Sequence, residues 1–181
     1  MKTGRVSRIL TLLLLLPPVG VLAAFQATHA KVAFTCTGPG GLRIEGTGNE
    51  LVASARGDVL TITVPVARIS TGIGLRDSHM HGKYLESEKF PTAELVVPRA
   101  GLRFPAEGGA VDATAPGTLT IHGKSKQVTF RYHATRMGKA YDVQGETKVN
   151  MRDFGIETPT YLGISVKPPV DITVSFLLNE I

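Results

Sequence analysis

From Lys31 onward the chain alternates between apolar and polar residues with a period of two. Over residues 58–66, Leu60, Ile62, Val64 and Val66 fall on one side, with Thr61 and Thr63 on the other. Over 126–135, Val128, Phe130, Tyr132 and Ala134 oppose Thr129, Arg131 and His133. Over 141–151, Tyr141, Val143, Gly145, Thr147, Val149 and Met151 oppose Asp142, Gln144, Glu146, Lys148 and Asn150. The last run sets Val170, Ile172, Val174, Phe176 and Leu178 against Asp171, Thr173, Ser175 and Asn179. Shorter runs occupy 42–46, 93–97 and 119–121, and Val32, Phe34 and Cys36 share one side of an opening strand. Residues i and i+2 lie on one side of a pleat, so each run predicts a strand with one wet and one dry face. Such one-sided burial indicates antiparallel pairing. About eight strands make either a sandwich or a closed barrel. Alternation does not separate these; runs longer than the usual ~5–6 residues favour the barrel, whose closed wall exposes no edge.

Three segments interrupt the pattern. Leu75, Met80, Tyr84, Leu85 and Phe90 have a loose helical spacing closed by Pro91, which predicts a short helix within 75–90 capped by Asp77. Residues 155–169, rich in Pro, Gly and Thr, read as a long connection that serves as a lid or rim. Residues 98–116 read as irregular and solvated.

Composition narrows the class. With 181 residues, 43% hydrophobic and 19% charged, the chain is an ordinary globular one of single-domain size. One Cys excludes an internal disulfide framework and a four-Cys zinc site. The formal charge of +5 is concentrated at the start: Lys2, Arg5 and Arg8 precede the first acid, Glu45. Beyond Ala30 the remaining seventeen basic residues stand against fifteen acids, so no basic excess suggests a nucleic-acid partner. Residues 1–30 read as an export signal: a positive start, an apolar run over 9–25 broken by Pro17, Pro18 and Gly20, and Thr28 and Ala30 at −3 and −1 of a cut after Ala30. An uncleaved anchor is the alternative. There is no Arg-Arg pair. The expected organisation is a cleaved signal peptide, 1–30, and one domain, 31–181, soluble in the periplasm or secreted. Thr35 before Cys36 is a poor lipidation context, and Cys36 is expected to be a small buried hydrophobe.

Candidate reactive groups are few. His79-Met80-His81 resembles a metal pair, but on a helix the two imidazoles diverge, and no third ligand is near in sequence. Asp77 and His81 are expected to form an i,i+4 surface pair. Asp77, Ser78 and His79 are adjacent rather than assembled in space, as a triad is. Gly72-Ile73-Gly74 lacks the third glycine of a dinucleotide loop. Arg76–Asp77 and Arg152–Asp153 are expected to stitch the helical insertion to the barrel through structural hydrogen bonds. No catalytic residue, metal or cofactor is assigned.

Three blocks carry a family resemblance. Thr71-Gly72, then Arg76-Asp77-Ser78-His79-Met80 and Lys89-Phe90-Pro91, make the first. Gly117-Thr118-Leu119-Thr120-Ile121-His122-Gly123, followed by Lys126-Gln127-Val128-Thr129-Phe130, makes the second, and Met151-Arg152-Asp153-Phe154-Gly155-Ile156 the third. Together they resemble the YceI-like polyisoprenoid-binding family, with Phe90 where a Tyr is commoner. The resemblance implies an all-β, eight-stranded antiparallel lipocalin-like barrel with a helical insertion. It also implies a lumen holding an isoprenoid or another amphiphilic lipid, such as a quinone, and export without catalysis. The inward set then offers a ligand wall of Phe34, Leu60, Ile62, Val64, Leu95, Ile121, Phe130, Tyr132, Val143, Val149, Val174 and Phe176. Its alternative is a filled core, which would suit a structural or stress protein; an enzyme acting on a hydrophobic substrate is a third class. Small inward residues, Cys36, Ala93, Ala134 and Gly145, favour a cavity. Tyr84, Tyr132, Tyr141 and Tyr161 are candidate headgroup partners, each alternatively bonded to a backbone carbonyl. Monomer and dimer are equally open.

Overall fold

In the computed structural model, residues 25–161 and 164–180 are described. The expected export signal therefore lies outside the described residues as far as position 24. The strands are β1 (Phe25–Thr37), β2 (Arg43–Gly48), β3 (Val52–Arg56), β4 (Val59–Pro65), β5 (Thr92–Pro98), β6 (Ala110–Ile121), β7 (Lys124–Met137), β8 (Ala140–Asn150), β9 (Thr160–Tyr161), β10 (Ile164–Ser165) and β11 (Pro169–Glu180). Nine form one antiparallel sheet in the order β2-β1-β11-β8-β7-β6-β5-β4-β3, and β9 and β10 form a separate hairpin. The alternation dictates which side faces inward: each long strand turns its apolar side to the interior, and burial follows with period two along β8.

The sheet is a curled half-barrel whose two edges, β2 and β3, do not pair. β3 instead returns to within 8 Å of β1. A strap following β4 covers the gap: the Thr47 amide donates to the Ser70 carbonyl at 2.8 Å, and the Ser70 amide to the Thr47 carbonyl at 2.9 Å. The edge strand β2 thus meets a loop, where the sequence predicts an eight-stranded closed wall. Val32, Leu51, Ala53, Val64, Ile69, Met80 and Phe176 pack across this seam.

One hairpin turn and one bulge shape the strands. His122 and Gly123 both have positive φ (51° and 69°) in the two-residue link between β6 and β7, the backbone a type I′ hairpin requires. A Cβ on Gly123 would also lie 2.5 Å from the Phe90 ring. In β1 the pairing with β11 shifts between Thr28 and Lys31, where His29 has φ 53°, a bulge that bends the strand.

The expectation for 98–116 needs correction. Ala110–Ile121 is one continuous strand. Its first half carries alanines and Pro116, weak signals for a central strand. β7 imposes the register along its whole length, whereas β5 pairs only with residues 118–120, so Pro116 lies where just one neighbour is paired. Only residues 99–109 are a connection, and within 155–169 the β9–β10 hairpin gives the predicted loop its own structure.

The helical insertion is α1 (Gly74–His79), continued by a wider π-type turn at Met80–Tyr84. Asp77 does not cap it. The N-cap position is Ile73, which makes no side-chain cap bond, and Asp77 reaches back to the strap instead. The predicted Asp77–His81 pair is likewise replaced: the strap hydroxyls of Ser70 and Thr71 hold the carboxylate, and His81 Nε2 lies 2.9 Å from the Ile69 carbonyl.

Candidate lipid cavity

The inward faces enclose one large space rather than a packed centre. It has a volume of about 920 Å³, at the top of the roughly 300–1,000 Å³ range of small-molecule sites. All the predicted wall residues line it: Phe34 and Val174 from β1 and β11, Leu60, Ile62 and Val64 from β4, Leu95 from β5, Ile121 from β6, Phe130 and Tyr132 from β7, Val143 and Val149 from β8, and Phe176 from β11. So do the small residues Cys36, Ala93, Ala134 and Gly145. Most of these larger side chains are only half-buried, because their inner surfaces face the void. Among the described residues, the largest fully buried side chains are Phe154 and Val97.

The register gives the cavity two ends. At the helical end stand α1, the strap, the β6–β7 turn and the loop after β8; at the far end stand the 99–109 loop, the β7–β8 turn and the outer ends of β1 and β11. Leu42, Ile73 and Leu75 line the helical end yet are more than half exposed, at 59%, 53% and 69%. Ile156, Pro159 and Val166 from the late connection also reach the cavity, which gives that segment the predicted rim position.

Polar groups cluster at the ends. At the far end the Tyr132 hydroxyl donates to the Arg103 carbonyl at 2.9 Å and accepts from the Arg103 amide at 2.6 Å, so this phenol is committed to backbone. The Tyr141 ring meets Phe104 edge-on at 6.5 Å, and Arg136 lies over it. Tyr84 lines the helical end, and the side chain of Tyr161 lies outside the described set. At the helical end Asp77 accepts from the Ser70 hydroxyl at 2.6 Å, the Thr71 amide at 2.7 Å and the Thr71 hydroxyl. These bonds, those from Ser70 and Thr71 first, hold its carboxyl down to about 2. Arg76 Nε donates to Thr71 Oγ1 and Nη2 to the Thr71 carbonyl, both at 2.8 Å. Cys36 is a free, buried thiol; burial pushes its pKa up and the charge of Arg76 opposes that. Among the described residues no group of three or more His, Cys, Asp or Glu is placed to hold a metal.

A family model described as the YceI-like domain matches residues 22–178. The chain belongs to the YceI-like family. Relatives include a UPF0312 protein of Pseudomonas fluorescens, 28% identical over 146 residues that cover 72% of this chain and 73% of the relative. Another, from Pseudomonas putida, is 30% identical over 150 residues, 74% of each chain. A polyisoprenoid-binding domain from Saccharophagus degradans superposes with TM-score 0.74 at 15% identity, over 88% of this chain and 99% of that one. Burkholderia cenocepacia BcnA superposes with TM-score 0.64 at 21% identity, over 82% and 95%. These structural matches bear out the all-β, lipocalin-like expectation.

The YceI-like blocks have physical roles here. Arg76 and Asp77 tie α1 to the strap, whereas Arg152 Nε donates to Thr158 Oγ1 at 2.9 Å and so braces the late connection rather than the insertion as expected. Both arginines thus bond to hydroxyls rather than to their neighbouring aspartates. His122 is the residue whose role sequence reasoning missed. Its Nε2 lies 2.6 Å from Glu86 Oε2 and its Nδ1 3.3 Å from the Phe154 carbonyl, so one ring ties the insertion, the β6–β7 turn and the loop after β8. Phe90 packs edge-on against it at 4.6 Å. The block containing Ile121-His122-Gly123 marks the position, but a partner 36 residues away gives no local signal.

Proposed function

We propose that this YceI-like protein is an exported binder that holds an isoprenoid or other long-chain amphiphile, a quinone among them, in its lumen without transforming it. The hollow apolar cavity carries this reading. Each buried CH₂ contributes about 0.8 kcal/mol, so a tail of a few isoprene units binds without any charged contact. The polyisoprenoid-binding relative from Saccharophagus supports the ligand class. A binder rather than an enzyme fits the phenol of Tyr132, whose hydroxyl is fully engaged by backbone. Native mass spectrometry of protein taken from its own membranes, followed by lipid extraction, tests the proposal. A stoichiometric long-chain lipid is expected; protein that is empty from native membranes and takes up no added lipid would refute it.

Export carries its own test. A cut after Ala30 falls at the β1 bulge and removes residues 25–28, which pair with 177–180. Ala27 and Ala30 also pack on the core cluster. The pairing favours a cut ahead of Phe25, next to the small residues Ala23 and Ala24, over the one after Ala30. The intact mass of secreted protein should retain residues 25–30; a chain beginning at Lys31 would contradict this, and one that keeps Met1 would contradict cleavage.

A further inference from the structure

A single imidazole joins the lobe at the helical end of the cavity to the β6–β7 turn. The lobe, residues 66–91, leaves the wall after β4 and returns to it before β5, and its base is closed by the Val66 amide donating to the Pro91 carbonyl at 3.0 Å. From it Ile69, Met80, Tyr84 and Leu85 line the cavity. Glu86 makes its last turn: the Glu86 carbonyl accepts from the amides of Lys89 and Phe90, both at 2.9 Å, and its backbone is left-handed at φ 44°. A side chain larger than glycine keeps that conformation only where its surroundings impose it. Across the seam stands His122, also left-handed at φ 51° and mostly buried. Both its ring nitrogens face oxygens that only accept: Glu86 Oε2 at 2.6 Å from Nε2 and the Phe154 carbonyl at 3.3 Å from Nδ1. A neutral imidazole has one N–H and an imidazolium two, so only the charged ring can donate to both. The charged groups on the elements around it are Glu86, Glu88 and Lys89 on the lobe, Lys124 on β7, whose ammonium lies against Gly155, and Arg152 and Asp153 in the turn after β8. Among the described residues Glu86 is the ring's one ion-pairing partner; Lys89 lies over the Phe90 ring and Arg152 is held by Thr158. The lobe's other imidazoles stay on its own side: His81 meets the Ile69 carbonyl, and His79 lines the cavity from α1.

We infer that residues 66–91 are a lid over the cavity and that His122 is its proton-dependent latch, shut while the ring is charged and loosened when it is neutral. Passage of lipid under the lid rests on the lipid-binding reading; the latch itself does not. Histidine side chains change charge between about pH 5 and 8. As pH rises through that range the charge attraction across the seam disappears, and one of the two acceptors loses its donor. The lid then loses either its own bond or the brace that holds the ring against the loop after β8. A charge-assisted bond is roughly twice as strong as a neutral one, so the seam weakens in both cases.

The test reads opening of the full protein in two ways. The first needs no lipid: Cys36, the chain's one thiol, is buried and lines the cavity, so a maleimide reaches it in delipidated protein only through an opening. At about pH 8.5 wild type should label about tenfold faster than Glu86→Gln, the weight of one hydrogen bond to a charged group. The amide that Glu86→Gln introduces donates to the neutral ring while the ring donates to Phe154, so this variant keeps both bonds without the proton. His122→Asn, which tolerates left-handed backbone but has no proton to lose, should label at least as fast as wild type. Comparison at one pH cancels the titration of the thiol. The second reading is release of a neutral probe, a fluorescent eighteen-carbon polyene methyl ester. Wild type should release it about tenfold faster at about pH 8.5 than at about pH 5.5, by the same weight. Glu86→Gln should release it slowly and His122→Asn fast at both, while His79→Gln and His81→Gln keep the wild-type change. Equal labelling of wild type and Glu86→Gln, a pH change that survives His122→Asn, or one lost in His79→Gln or His81→Gln would overturn the latch. If His122→Asn does not fold, the contrast of wild type with Glu86→Gln decides alone. Labelling that follows the expected pattern in a protein that binds no probe would instead overturn the lipid-binding reading and leave the latch.

Discussion

Asp77 and Gly46 show how single residues shape the cavity. Asp77 is held at about 2 by the hydroxyls of Ser70 and Thr71, below the roughly 3.9 of a free aspartate. A group with a depressed folded pKa stabilises the fold above its unfolded value, and that contribution is lost as pH falls through the folded one. The strap–α1 link should therefore persist at pH 4 and loosen only toward pH 2. Carboxyl-carbon NMR should follow Asp77 to a midpoint near 2; a midpoint near 4 would mean that the hydroxyls do not hold it. Gly46 shapes the wall by absence. A Cβ there would sit 2.2 Å from the Phe34 ring, which lies over the glycine across the β1–β2 pair. Gly46→Val should force Phe34 into the lumen, cost about 1–3 kcal/mol as an overpacking change, and lower lipid capacity, as read by denaturation and bound-lipid stoichiometry. The pattern of residues gave Phe34 its inward side, but nothing in it shows which glycine makes room for the ring.

At the scale of elements, alternation is decisive where strands are long. β7 bears this out: Phe130, Tyr132 and Ala134 face inward, while His133 sits 2.9 Å from Asp112 on the outer side. Phe130→Arg places a charge in the apolar lumen, where an unpaired ion costs several kcal/mol unless it reaches a mouth. Lipid occupancy should drop sharply, while Phe130→Leu should cost under about 1.5 kcal/mol and His133→Leu should keep the lipid. Equal loss in Phe130→Arg and His133→Leu, with circular dichroism unchanged, would reverse the faces. Alternation fails where residues are small. The first half of β6 was illegible because Ala113, Ala115 and Pro116 carry little strand signal and β7 supplies the register. α1 was legible from spacing, but its capping was not, because Asp77 bonds to a strap that precedes the helix in sequence.

At the scale of the molecule, the lining was legible because a period of two assigns every residue of a long strand to one side. Whether the interior was filled was not, because hollow and solid barrels share that period. Volume decides it, and volume depends on how far the sheet curls. The curl in turn depends on contacts distant in sequence, such as Thr47 with Ser70 and His122 with Glu86. Chemistry at the ends followed the same rule. Tyr132 was visible as an inward phenol, but its engagement by Arg103, 29 residues away, required the fold.

The pairing of Phe25 with Glu180 puts both ends of the described chain side by side at the pole away from α1. Anything attached through either end therefore holds the molecule from behind. A protein immobilised on a sensor surface by its first strand or by its last should turn Leu42, Ile73 and Leu75 outward in both cases. The two orientations should give the same association rate for a lipid probe. Immobilisation through a cysteine placed at Ser78, on α1 itself, should slow it.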